Sequence, residues 1–197
     1  MTPLRLVALV FAALLPVAPA DAAPAGPPLP AELPVGRERY DLPSGGQLLL
    51  DVPLSWQVVY TRSDDGAPPS LYITPLEGDH FELIVSVHEA PGGQPMAPES
   101  VHAMIERAGR EALRLAPDQA LHVRPWPGGI TGAFVYELED EEATAGANGY
   151  PLLVQGAAAL GDSVLVFTLL GAIDGVERDE TLRMLRGARI LRSRAGF

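Results

Sequence analysis

The segment from Phe81 to Glu89 carries the clearest periodic signal in the chain. Phe81, Leu83, Val85 and Val87 alternate with Glu82, Ser86 and His88, the two-residue period of a strand that buries one face. Related apolar runs predict strands over Gln47–Pro53, Trp56–Arg62 and Ser70–Leu76, and later over Leu121–Trp126, Ile130–Glu139, Tyr150–Leu160 and Ser163–Gly171. Turn-forming clusters separate them: Ser63-Asp64-Asp65-Gly66, Glu77-Gly78-Asp79, Pro91-Gly92-Gly93 and Gly128-Gly129. Gly161-Asp162 is a tight hairpin signal. The period changes from Pro98 to Ala116, where Val101, Met104, Ile105, Ala108, Ala112 and Leu115 form the apolar stripe of a helix. Pro98 and Glu99 suit its first turn, and Pro117 stops it. A second helix is predicted from Val176 to Gly187, with Asp174 as N-cap and Leu182, Leu185 and Ala188 as a partial stripe. Short connections between neighbouring strands imply antiparallel pairing. The pattern predicts an α+β domain, an antiparallel meandering β-sheet with a central and a C-terminal helix packed on it.

The N-terminus follows a different logic. Arg5 supplies one positive charge, Leu6–Leu15 is apolar, and Pro16–Ala23 is rich in small residues. Charge, then an apolar stretch of about 7–15 residues, then an A-x-A-like site is the order of a cleaved signal peptide. Cleavage is expected after Ala20 or after Ala22. The apolar run is short of the ~20 residues that span a bilayer, and no stable membrane insertion is expected after cleavage. The predicted organisation is a signal peptide at 1–22, a Pro/Ala-rich leader at 23–36 with polyproline bias, and a single domain at 37–197. About 175 residues then remain, enough for one domain with a substantial core.

Composition narrows the function. The chain has no cysteine, which removes disulfides, thiol catalysis, thiolate metal sites and a lipidated-cysteine anchor. All 14 basic residues are arginine, and the formal charge is −11. Nucleic-acid binding depends on cationic side chains replacing counterions, so no nucleic-acid partner is expected. The same negative field disfavours anionic membrane surfaces.

The segment Asp51-Val52-Pro53-Leu54-Ser55-Trp56 resembles the "strand, Pro, two residues, Trp" entry of PsbP-like domains. That fold includes the PsbP subunit of photosystem II, the Ran-binding Mog nuclear-import factor and many exported bacterial proteins. The order of strands, central helix, strands ending in an apolar hairpin, and a last helix with Leu182, Arg183 and Arg186 is also similar, over about residues 40–192. The resemblance implies an α+β domain that docks on partners rather than one that catalyses. It assigns Pro53 to the end of a strand and Trp56 to the core. The photosystem protein's metal ligands have no matching motif here.

Candidate chemistry is sparse. Gly161-Asp162-Ser163 spells the start of an esterase motif, but no histidine follows Ser163 to serve as its base. His80 and His88 would lie roughly 26 Å apart on one strand. Glu99, His102 and Glu106 align on one helix face at a spacing that offers two carboxylates and an imidazole to zinc; the same spacing describes a solvated side. Glu137, Glu139, Asp140, Glu141 and Glu142 form an acidic run without the alternating glycines of a Ca²⁺ loop. Arg178, Arg183, Arg186, Arg189, Arg192 and Arg194 gather at the C-terminal end, where they can meet an acidic partner or pair locally. No catalytic, cofactor-binding or metal residue is assigned on these patterns, and no cofactor is expected. The expected function is that of an exported, periplasmic or secreted, non-enzymatic binding or assembly factor with a protein partner. Two alternatives are a hydrolase or metal-dependent enzyme using the His102, Glu99 and Glu106 face, and a carrier of a small apolar ligand held between sheet and helix.

Overall fold

The computed structural model of the chain describes residues 34–43, 45–62, 68–78, 80–114, 119–126, 130–140, 149–172 and 176–192, with backbone alone at 176 and 177. The predicted signal peptide and both expected cut sites lie outside these residues, as do most of the predicted leader, Pro117, Asp174, Glu141, Glu142 and Arg194. Among the described residues the strands are β1 (Val35–Asp41), β2 (Gln47–Pro53), β3 (Trp56–Thr61), β4 (Ser70–Pro75), β5 (Phe81–Glu89), β6 (Arg124–Pro125), β7 (Phe134–Glu139), β8 (Leu152–Leu160), β9 (Ser163–Gly171) and β10 (Arg189–Leu191). The helices are α1 (Pro98–Leu113) and α2 (Val176–Arg186). The architecture is α+β, and every strand pair is antiparallel.

The strands divide into two sheets, which the sequence pattern does not reveal. A seven-stranded sheet runs β3-β4-β5-β9-β8-β7-β6, and a three-stranded sheet runs β1-β2-β10. The chain therefore meanders from β3 to β5, leaves through α1, and returns from the far edge, so that β9 closes against β5 along its whole length. The gap between Pro53 and Trp56 is the step from one sheet to the other.

The seven-stranded sheet is covered on two sides. Phe81, Leu83 and Val85 of β5 join Leu48, Leu50 and Val52 of β2 and Met184 and Leu185 of α2 in one core. On the opposite face, Val101 and Ile105 of α1 pack with Tyr136, Leu138, Leu153, Ala157 and Val164. Strands β8 and β9 are thus apolar on both faces, which is why LLVQGAAAL and SVLVFTLLG read as near-continuous apolar runs while β5 alternates.

Several local expectations change. Strand β1 begins at Val35, inside the segment read as leader, and carries Arg37, Glu38 and Arg39 in succession. It forms through its ladder to β2 rather than through a buried face of its own. The strand predicted over Leu121–Trp126 is reduced to Arg124–Pro125. Strand β10 follows α2 directly and takes the other edge of β2. The Gly161-Asp162 turn is a two-residue hairpin with Gly161 at φ 64°, the conformation that favours glycine at its first central position. No helix among the described residues is long and apolar enough to cross a membrane.

Candidate functional site

Alternation along β6, β7 and β8 sends Arg124, Trp126, Val135, Glu137 and Val154 toward α2, because Arg124 pairs with Val135 and Glu137 with Val154. Helix α2 answers with Arg178, Leu182 and Arg186, four residues apart on one face. Together with Asp179 these side chains line a cleft of about 180 Å³ between sheet and helix. Glu137 organises its polar wall. One carboxylate oxygen, Oε1, accepts from Arg124 Nη2 and Arg178 Nη2, each at 2.6 Å. The Glu137 side chain is only 19% exposed, so these charge-assisted bonds are stronger than surface ion pairs.

Three guanidiniums face two carboxylates here, leaving one positive charge in excess within a chain of net charge −11. Arg186 is exposed and makes no ion pair among the described residues. Trp126 is 4% exposed, and among the described residues its Nε1–H has no hydrogen-bond partner; neither does Arg178 Nε–H. Both nitrogens are closed off from the surface, and two such donors in residues beside one cleft are unusual, since such groups cost about 1–3 kcal/mol each when unsatisfied. A second concavity of about 260 Å³ lies over Leu49, Leu50 and Leu191 beside the small sheet. There Arg37 and Asp51 already satisfy each other at 2.8 Å, which holds the Asp51 carboxyl below its usual range.

Apart from Glu137, Arg178 and Arg186, the sequence-predicted candidates fall elsewhere. Ser163 is fully buried at the start of β9; its hydroxyl accepts from Arg192 at 2.8 Å and donates to Asp162 at 3.3 Å. Arg192 also donates to the Asp162 carboxylate and to the Gly45 carbonyl, tying the β8–β9 hairpin to the small sheet. The esterase-like triplet is therefore a clamped turn. On α1, Glu106 pairs with Arg110 at 2.6 Å, and the His102 ring meets Phe134 edge-on at 5.0 Å. Glu99 lies exposed in the first turn. The His80 ring lies tilted against Phe81, with centroids 5.7 Å apart, His88 contacts Ser86 at 3.0 Å, and His122 is exposed before β6. No three metal-ligating side chains cluster among the described residues. The acidic run splits: Glu137 enters the cleft, Glu139 is exposed, and Asp140 is buried.

The sequence pattern singled out Arg178 and Arg186 in the C-terminal arginine set and Glu137 in the separate acidic run. It missed Arg124 and Trp126, whose two-residue spacing was the signal that they share a face.

The other face of the large sheet holds a satisfied polar row. Tyr136 donates to Gln155, and Gln155 Nε2 donates to Thr168 Oγ1 at 3.1 Å; burial pushes the Tyr136 phenol up. Further along this face, burial also raises the Glu82 carboxyl above its ordinary value of 4.5. A carboxyl raised in the folded state favours folding below its unfolded pKa and loses that contribution as pH rises through the folded value. Glu82→Gln should therefore raise the melting temperature at pH 7, with the gain shrinking toward zero as pH falls below the ordinary carboxylate range. A gain independent of pH would rule out ionisation as its cause.

No protein-family model matches the chain, and no curated protein matches it. Among solved structures, the solution structure of cyanobacterial PsbP (CyanoP) from Synechocystis sp. PCC 6803 is similar, at 15% identity and a TM-score of 0.47, over 85% of this chain and 99% of that one. At that level of similarity nothing about ligand, partner or site residues passes from that protein to this one. It comes from the family that the Asp51–Trp56 segment resembles.

Proposed function

We propose that this chain is an exported, non-enzymatic binding protein whose recognition site is the arginine-lined cleft under α2. The observation that carries this reading is the set of three guanidiniums, Arg124, Arg178 and Arg186, lining one cleft against only two carboxylates. A guest with acceptor atoms would meet the exposed Arg186 at the cleft wall. The alternative built on His102, Glu99 and Glu106 has less support, because Glu106 is taken up by Arg110 and His102 by Phe134. The carrier alternative gains a location between sheet and helix, with a polar wall that a purely apolar guest would leave unsatisfied.

Two measurements test the reading. A panel of acetate, benzoate, phosphate and sulfate should contain at least one anion that raises the melting temperature of the wild type and fails to do so in Arg186→Ala. At a hundredfold excess over Kd, binding adds about 2.7 kcal/mol, several degrees for a domain of this size. A panel with no Arg186-dependent shift would overturn the binding role of the cleft. For export, N-terminal sequencing of the secreted protein should begin at Asp21 or Ala23. Recovery of intact Met1 in membranes would refute cleavage.

A further inference from the structure

We infer that the cleft takes a small organic acid: one carboxylate joined to a compact apolar body. The inference rests on the reading of the cleft as a binding site and names the ligand class. Charge comes first. Arg124, Arg178 and Arg186 against Glu137 and Asp179 leave a single positive charge, which a monoanion neutralises and a phosphate dianion overshoots. Donor type comes second. The planar forks of guanidinium match the two oxygens of a carboxylate. Glu137 already covers one edge of Arg124 and of Arg178 through Nη2, leaving Nη1 of each and the whole of Arg186 to meet a guest. Third, the rest of the lining is apolar. Val135, Val154, Leu182 and the Trp126 ring offer hydrocarbon and an aromatic face, a surface that rewards a phenyl ring or short acyl chain over a hydrated inorganic ion. Size is the last filter. A space of about 180 Å³ equals about six water volumes, enough for a benzoate-sized acid and too little for a nucleotide or a long-chain lipid.

Isothermal titration calorimetry with benzoate, benzyl alcohol and inorganic phosphate tests this on the folded chain. Benzoate should bind at one site per chain. Arg186→Ala should weaken it about tenfold or more through loss of a charge-assisted contact. Arg186 is exposed, so its alanine variant keeps the fold, which a melting curve verifies. Arg183→Ala, on the same helix but outside the cleft, should leave benzoate binding unchanged. Benzyl alcohol should not bind, because it lacks the charge, and phosphate should bind at least about tenfold more weakly. Absence of benzoate binding, or binding indifferent to Arg186, would overturn the proposal. If phosphate binds as tightly as benzoate and still depends on Arg186, the carboxylate assignment falls while the cleft remains a binding site.

Discussion

Replacing Trp56 with alanine should lower the unfolding free energy by about 3–5 kcal/mol. Trp56 opens β3 immediately after the chain crosses from the small sheet, and its side chain is 8% exposed. The indole stacks at a tilt on Phe81, with ring centroids 4.7 Å apart, in the core shared with Leu48, Leu50 and Val52 of β2. Truncation removes a large apolar area and leaves a cavity at the junction of the two sheets, where backbone pairing on both sides resists collapse. Denaturant titration should show a lower midpoint with an unchanged m-value, and Trp56→Phe should recover part of the loss by keeping a ring on Phe81. An unaltered melting curve for Trp56→Ala would mean that the indole contributes no packing.

Gly156→Ala should cost about 1–3 kcal/mol, the usual range for overpacking a filled core. In the register of the sheet, Gly156 lies between Val135 of β7 and Phe167 of β9, on the face toward α2. A Cβ there would stand 2.6 Å from Phe167 Cζ and 2.7 Å from Val135 Cγ1. The missing side chain is what lets the Phe167 ring lie across β8 and back Trp126, whose ring centroid is 5.1 Å away. Space, not backbone freedom, is the requirement. The double change Gly156→Ala, Phe167→Leu should then cost less than the two single changes combined, a coupling that thermal or chemical melts resolve. Strict additivity would show that the Phe167 ring is not what the new methyl meets. Because Phe167 supports Trp126, benzoate affinity should also fall in Gly156→Ala.

Much of this molecule was legible along the chain. The alternation of Phe81–Glu89 and the three-to-four spacing of Val101, Met104 and Ile105 declared a strand and a helix with their buried faces, because both periods are geometric properties of the backbone. Gly161-Asp162 declared its hairpin for a similar reason, since few residues accept the first turn position. Two kinds of feature stayed hidden. Strand β1 has no buried stripe to advertise it; its Arg37, Glu38 and Arg39 become extended because β2 presents an edge, a condition set by residues ten or more positions away. The division into two sheets was hidden likewise, since Pro53-Leu54-Ser55-Trp56 reads equally well as a turn within one sheet.

The cleft belongs to the second kind. The spacing in the sequence suits a shared face for Arg124 and Trp126 two residues apart, a shared helix face for Arg178, Leu182 and Arg186, and opposite faces for Glu137 and its neighbours Tyr136 and Leu138. It could not set these faces against one another, because Arg178 and Glu137 are separated by 41 residues. Only the tertiary structure decided that meeting. Helix α2 is held over β2 and β9 by Met184 and Leu185, buried among leucines and valines of both sheets. That apolar contact fixes where the adjoining flank of the helix lies, and so brings two arginines from distant segments onto one carboxylate oxygen. Charged groups on flexible stems have little power to choose a fold in water; here the hydrophobic core chose it, and the electrostatics of the cleft followed.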